Sequence, residues 1–371
     1  MAKENWYGVA DETQLMTPAL LVYPNRIQQN IESMIAVAKD VSRLIPHVKT
    51  YKMKAIVKLQ MERGIKQFKC ANLGEVEMLI GCGVEHILLA IQPTREKAIR
   101  LLQLQQENPT ITFSTLVDNL DSLQLFGELA TKTRQKMQLW LDVNNGMNRT
   151  GILPEKGAAL YQKITQNPDL KAKGVHVYDG HIRPLELEKR VLKCNEDFKA
   201  VADMLAQIKT QGMEVENLIT GGSPSFYPHS LRQHTLLSPG TTLLWDLGYQ
   251  KIWKESPFLQ SAVLATRLIS KPADHFYCFD LGHKAVASEM PLPRVKILGL
   301  EGAVHKGQSE EHLILEYKEP TNFKVGDLFY AIPYHICPTV AKYQKAYTVQ
   351  DGAIGPFWEV EARDYQIGLA L

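Results

Sequence analysis

The chain has 371 residues, of which 45% are hydrophobic and 22% charged, the balance of an ordinary globular protein. Its 42 basic and 40 acidic side chains leave a net charge of +2, and no basic block with interleaved aromatics occurs, so nothing favours nucleic acid as a partner. Five scattered cysteines (70, 82, 194, 278, 337) exclude a disulfide framework and fit a reducing compartment. The opening MAKENWYGVADETQ lacks the order of a signal peptide, and no apolar run reaches the roughly 18 residues of a membrane helix. The expectation is a cytoplasmic protein with no membrane partner and, from its length, one large domain plus a smaller one, or two.

Between about residues 25 and 245, short apolar runs alternate with helical patterns. The runs are RLIPHVKT (43–50), QFKCA (67–71), HILLAI (86–91), ITFSTLV (111–117), MQLWLDV (137–143), KGVHVY (173–178), ENLITGG (216–222) and HTLLSPG (234–240). Amphipathic stretches such as IQQNIESMIAVAKDV (27–41) and LELEKRVLKCNEDFKAVADMLAQIKTQG (185–212) lie between them. Eight strand-like runs at this rhythm predict an α/β (β/α)8 TIM barrel, with a doubly wound sheet as the rival. After residue 255 only strand-like runs remain, among them HFYCFDLG, EHLILEY, DLFYAIP and KAYTVQ, which predicts a mostly antiparallel β domain.

In a barrel the chemistry sits where strands end. The first run ends in His47-Val48-Lys49-Thr50, and strand alternation would turn His47 and Lys49 to one face. A desolvated lysine there can form an imine with a carbonyl; equally, the lysine is solvated and begins the next helix. Lys52, Lys54 and Lys58 fall where the helical pattern starts. Arg149, bracketed by glycines after the fifth run, suits an anionic oxygen or a surface turn. The sixth run ends in His176, Tyr178, Asp179, Gly180 and His181, where a loop histidine can transfer protons. Gly221-Gly222-Ser223 after the seventh run and Ser238-Pro239-Gly240-Thr241 after the eighth suit a phosphate cup. In the β domain, His335 and Cys337 would share one side of an extended segment, as zinc ligands or as a buried cysteine beside a bonded histidine. A reactive lysine with a phosphate cup in a barrel describes pyridoxal 5′-phosphate, with Arg149 and Tyr178 near its ring.

These stretches are recognisable together. PHVKTYK, FKCANLGEVEML, GMNRTG, VYDGH, GGSP, SPGTTLLWDLGY, HLILE and HICPTV resemble the D-threonine aldolase and D-serine dehydratase family, within the alanine-racemase-like pyridoxal phosphate enzymes. The resemblance implies a cofactor-binding barrel over residues 26–250 and a β domain over 251–371 that carries the metal ligands and is joined by residues 1–25. It implies a homodimer acting on a small D-amino acid. Lys49 falls on the cofactor-bearing lysine, although Ile45 stands where the family has arginine and Tyr51 where it has histidine. Arg149 falls near the cofactor's phenolic oxygen, Tyr178 near the ring nitrogen, and Gly222, Ser223, Gly240, Thr241 and Tyr249 on the phosphate cup, with His47 beside the cofactor. His335 and Cys337 fall on the ligands of a divalent metal: zinc, manganese or magnesium. Cys337 resembles the zinc-dependent dehydratase branch, where many aldolases have aspartate. His181 falls on an acid–base position. The implied activity is a metal-assisted lyase on D-3-hydroxy amino acids, either an aldolase or a dehydratase. The alternatives are an amino-acid racemase and a non-catalytic pyridoxal phosphate carrier.

Overall fold

The computed structural model describes residues 5–365. The chain divides into two compact units. One comprises the chain up to Ser33, Thr50–Ile56 and Thr241–Asp364; the other comprises Met34–Lys49 and Val57–Gly240. In chain order come β1 (Ala19–Val22), α1 (Pro24–Ala38) and α2 (Lys54–Met61).

An α/β alternation follows: β2 (Gln67–Cys70), α3 (Leu73–Ile80), β3 (His86–Leu89), α4 (Arg95–Glu107), β4 (Thr112–Val117), α5 (Leu120–Thr133) and β5 (Met137–Val143). It continues through α6 (Pro154–Gln166), β6 (Leu170–Val177), α7 (Leu187–Thr210), β7 (Leu218–Thr220), α8 (Phe226–Ser230) and β8 (Leu236–Leu237). The strands β2 to β8 pair in sequence order and all in parallel. This is the barrel topology expected from the sequence, with one correction.

Residues 43–50 do not form the first regular strand. Pro46 has no N–H to give a ladder, so the segment makes only single parallel bridges, Leu44 to Leu237 and His47 to Lys69. Its backbone nevertheless bonds both edges of the sheet. Ile45 N–H donates to the Leu237 carbonyl (2.9 Å) and His47 N–H to that of Pro239 (2.8 Å), while Lys69 N–H donates to Pro46 (2.9 Å). An irregular stave therefore sits between β8 and β2. Val48–Thr50 then turn as one 3-10 helix, so strand alternation does not relate His47 to Lys49. Their relation is a local bond instead: His47 Nδ1 accepts the Lys49 backbone N–H at 3.2 Å.

The barrel strands are buried on both faces, as parallel strands covered by helices must be. On β5, Leu139, Leu141 and Val143 face outward and pack with Ala158, Tyr161 and Ile164 of α6 and Val201 and Met204 of α7. Trp140 faces inward with Leu88, Leu116, Ile219 and Ile45. Each such buried apolar side chain contributes about 1.5–3 kcal/mol. The inward set is apolar there and turns polar further along, at Lys69, Asp142 and His176. The end of β2 is pinned by α3: Asn72 Oδ1 accepts the Glu75 N–H (2.9 Å), and Glu75 Oε2 accepts the Ala71 N–H (2.6 Å), in the manner of a capping box.

The other unit holds α9 (Leu247–Ile252), β9 (Ala262–Ala273), β10 (Phe276–Phe279), β11 (Val295–Ile297), β12 (Val304–Gln308) and β13 (Leu313–Glu316). It ends with β14 (Leu328–Pro333), α10 (Ile336–Val340), β15 (Lys345–Gln350) and β16 (Ala353–Glu359). Strand order is β12-β13-β10-β9-β1-β15-β16, with β14 pairing β9 and β11. All pairs are antiparallel except β1 with β15. The twelve-residue β9, which pairs with three strands, escaped the sequence reading because its second half, ISKPA, is exposed and contains a proline. The segment after β14 also departs from expectation. Cys337 lies in the five-residue helix α10 with His335 as its N-cap, not in an extended stretch.

Candidate active site

A cavity of about 310 Å³ opens at the strand ends of the parallel sheet, with His47, Lys49, Lys69, Arg149, His176 and Tyr178 on its wall. Three basic side chains lie near the Tyr178 ring. The guanidinium carbon of Arg149 is 4.9 Å from its centroid, and Lys49 Nζ and Lys69 Nζ are each 5.7 Å away. Arg149 is held by the loop after β5. Asn144 Oδ1 accepts the N–H groups of Gly146 (3.1 Å) and Asn148 (3.0 Å), and Gly151 N–H donates to Asp118 (2.9 Å). Gly151 has φ +99°, and a Cβ there would lie 2.5 Å from Asn144 N, so the turn requires glycine.

Lys69, which the sequence reading passed over, is the most buried cation of the cavity at 2% exposure. Its Nζ is 3.4 Å from His176 Nε2, and His176 Nδ1 is 2.7 Å from Asp142 Oδ1. Gln92 donates to Asp142 Oδ2 (2.8 Å) and to Asp118 (2.8 Å), which continues the chain to the Arg149 loop. Burial raises the Asp142 carboxyl, but the His176 hydrogen bond and charge, with Gln92 and Thr150, outweigh it and hold Asp142 below the usual range. Burial and then the Lys69 charge push His176 down against the pull of Asp142. A neutral His176 beside a carboxylate carries its proton on Nδ1, which leaves the Nε2 lone pair to accept from Lys69. Burial, followed by the charge of Lys49, lowers the Lys69 amine to about 7, with Asp142 opposing.

Among the expected cup residues, Gly222 has no room for a side chain: a Cβ would lie 2.7 Å from Tyr178 Cε2. Ser223 Oγ accepts the Gly240 N–H at 3.1 Å, which ties the loop after β7 to the loop after β8. The buried hydroxyls of Thr220, at the end of β7, and Ser238, just past β8, have no hydrogen-bond partner among the described residues. Thr241 and Tyr249 belong to the other unit. There Thr241 Oγ1 is 3.3 Å from Cys337 Sγ, and Tyr249 N–H caps onto Asp246 at 2.8 Å.

Cys337 Sγ also lies 3.1 Å from Thr50 Oγ1. His335 Nδ1 is 2.5 Å from Glu289 Oε1. Burial alone would lower His335, but its hydrogen bond and charge interaction with Cys337, and then Glu289, raise it to about 9. Imidazole and thiol are thus adjacent, and a carboxylate fixes the ring from its far side. Metal-ligating histidines are oriented in this way.

Two further groups lie in the parallel-sheet unit. His181 Nε2 pairs with Asp197 at 3.0 Å, and its buried Nδ1 has no partner among the described residues. Asp179, Cys194 and His229 form a buried cluster whose ligand-capable atoms lie within 4.8 Å of one another. It is already satisfied. His229 Nε2 is 2.7 Å from Asp179 Oδ2, Ser225 donates to Asp179 Oδ1, and Arg232 donates to His229 Nδ1 at 3.2 Å. Burial and the Asp179 charge push the Cys194 thiol up to about 12, the wrong direction for a thiolate ligand.

Residues 22–247 match the model of the alanine racemase N-terminal domain, more than half of the chain. The chain belongs to this family. Residues 261–349 match the model of a serine dehydratase domain. A 3-hydroxy-D-aspartate aldolase from Paracoccus denitrificans is 24% identical over 95% of this chain and 93% of its own. A D-threo-3-hydroxyaspartate dehydratase from Delftia sp. is 23% identical over 89% and 93%. In fold, a crystal structure of D-threonine aldolase from Filomicrobium marinum superposes with a TM-score of 0.85 at 23% identity, covering 96% of this chain and 98% of that one.

Proposed function

We propose that the protein is a pyridoxal 5′-phosphate- and metal-dependent lyase acting on D-3-hydroxy amino acids. The observation that carries the reading is an amine, Lys49, on the wall of a cavity shared with Arg149 and Tyr178. The unpartnered hydroxyls of Thr220 and Ser238 and the side-chain-free approach at Gly222 support a phosphate at the ends of β7 and β8. Lys49 would hold the cofactor covalently, Arg149 would face its phenolic oxygen, and Tyr178 would lie against its ring with His47 beside it. Gly222, Ser223, Gly240, Thr241 and Tyr249 are the proposed phosphate contacts. When bound, the cofactor supplies an electron sink for charge at Cα. His335 and Cys337 would hold the metal, and zinc best suits an imidazole–thiolate pair; it would supply Lewis acidity toward a hydroxyl oxygen. In this reading residues 26–250 bind the cofactor, and residues 251–371, with 1–25, carry the metal ligands.

Two outcomes share this machinery. If Lys49 removes the Cα proton, the hydroxyl departs and the enzyme is a dehydratase, which the cysteine at position 337 favours. If the hydroxyl proton is removed, the Cα–Cβ bond breaks and the enzyme is an aldolase. His181 is then the proposed acceptor, since Asp197 fixes its ring and its Nδ1 is left open. A cytoplasmic homodimer completes the proposal. Its cytoplasmic part is supported by the lack of disulfides among the described residues, none of whose helices is long and apolar enough to cross a membrane. The deciding experiment is product analysis after incubation with D-threonine, cofactor and zinc. Glycine with acetaldehyde identifies an aldolase, and 2-oxobutyrate with ammonia a dehydratase. Conversion to L-allo-threonine alone overturns the lyase in favour of a racemase, and cofactor binding without turnover of any D-3-hydroxy amino acid leaves a carrier.

A further inference from the structure

Lys69 is a buried amine that nothing in the proposed lyase chemistry uses. Its partner is the neutral acceptor His176 Nε2, at 3.4 Å. No carboxylate among the described residues forms an ion pair with it, because Asp142 is committed to His176 and Gln92, and Asp179 to His229 and Ser225. An ammonium carries three donors, so two remain, and the amine lies on the cavity wall. A buried cation without a counter-ion is costly unless it sheds its proton or an anion arrives.

We propose that Lys69 is a carboxylate-recognition residue of the cavity: its amine takes up a proton from solvent as the substrate's carboxylate enters, and the resulting ammonium pairs with that carboxylate. The inference deepens the lyase reading, on which it rests for the identity of the carboxylate. In the step, the Nζ lone pair forms the new N–H bond as an O–H bond of hydronium breaks and its electron pair stays on the water released. The groups that face Lys69 fit this role. Lys49 and Arg149 oppose its charge, and Asp142 and Asp179 favour it. His176 holds its lone pair toward it, and His47 is its neighbour on the adjoining stave. The near-neutral titration set by burial places the change at working pH. His176 and Asp142 act through Lys69 and are positioning residues.

Linkage gives the experiment. D-Malate, a hydroxy dicarboxylate with no amine, is titrated into the cofactor-loaded enzyme by calorimetry in buffers of different ionisation heat. At pH 8 we expect close to one proton taken up per malate and at pH 6 close to none, with affinity falling about tenfold per pH unit above 7. Lys69→Met should remove the uptake and weaken malate at pH 6 at least about tenfold. Lys69→Gln serves as the second variant if the first does not fold, and the wild-type pH contrast needs neither. Absence of uptake at pH 8, failure of D-malate to bind, or the same uptake in a folded Lys69 variant overturns the proposal. If uptake accompanies loading of pyridoxal phosphate onto the apoprotein and is absent with malate, the anion is the cofactor's and the proposal also falls. The D-threonine product assay on the same preparation separates the two readings. Products without uptake remove only the role of Lys69, and uptake without products removes only the lyase.

Discussion

The parallel-sheet unit holds two buried polar groups, each built around an Asp–His pair, in opposite states. Asp142, His176 and Lys69 are 3%, 4% and 2% exposed, and Asp179, His229 and Ser225 are each at 0%. In the second group every acceptor meets a donor: Ser225 and His229 serve the two oxygens of Asp179, and Arg232 serves the other face of His229. In the first, the carboxylate and imidazole satisfy each other, and the amine at the end of the chain is left against a cavity. Both groups contain the residue types of a catalytic or metal site. What separates them is whether the hydrogen bonding closes, because a closed network has nothing left to give a ligand. Both Cys337 and Cys194 sit beside an imidazole; what separates them is the neighbouring group, two threonine hydroxyls at Cys337 and a buried carboxylate that drives the Cys194 thiol up.

The sharpest way to break this comparison is Lys49→Ala. Turnover should fall by about 10⁴-fold or more, and the borohydride-fixed cofactor adduct should vanish. Peptide mapping of the wild-type adduct to Lys69 instead would exchange the roles of the two lysines. Next in size, Asp179→Ala opens the closed cluster and should cost about 3–5 kcal/mol in urea denaturation, because His229 and Ser225 lose their partner. The contribution of Asp179 has a definite pH window. Burial raises its carboxyl, but His229 and Ser225 overcome this and hold it below the usual range. Its stabilisation is therefore present above the unfolded carboxylate value near 4 and is lost as pH falls through the lower folded value.

Lys69→Met should act in the opposite direction and stabilise the protein, by on the order of a few kcal/mol at pH 7. Burial lowers the amine from its ordinary value to about 7, so between about pH 7 and 10 the unfolded chain binds the proton more readily than the folded one. Wild-type stability therefore rises across that window, and the variant should show a flatter profile with its advantage largest at and below pH 7. Equal stability of the two proteins at pH 7 would mean that Lys69 is paired after all. The smallest effect is expected for Glu289→Gln, which should weaken metal binding about 10–100-fold, measured by competition with a chelator, and leave the cofactor adduct in place.

Much of the architecture was legible because periodicity is local. The runs QFKCA, HILLAI, MQLWLDV and KGVHVY became β2, β3, β5 and β6 within a few residues. RLIPHVKT did not become a strand, since Pro46 removes the ladder donor that its apolar pattern suggested. Alternation was the right rule applied to too few strands. It singled out His176 within KGVHVY, and the same parity would have turned Lys69 in QFKCA and Asp142 in MQLWLDV to the barrel interior. For His335 and Cys337 the expected extended geometry was wrong, because the chain turns into α10 at that point; the turn at the helix start sets their spacing, and the carboxylate of Glu289, 46 residues away in the chain, holds the His335 ring.

The amino-acid sequence by itself determined the alternation of strands and helices, the shift to a β-rich C-terminal part and the short motifs around Lys49, Arg149, Tyr178 and His335, since each depends on neighbours within a few positions. Only the tertiary structure decided which buried polar groups are paired. A hydrogen bond between Lys69 and His176 spans 107 positions, and that between Asp179 and His229 spans 50. No local pattern encodes such partners, so an Asp–His pair closed into a fully bonded cluster in one place and left an amine against a cavity in the other.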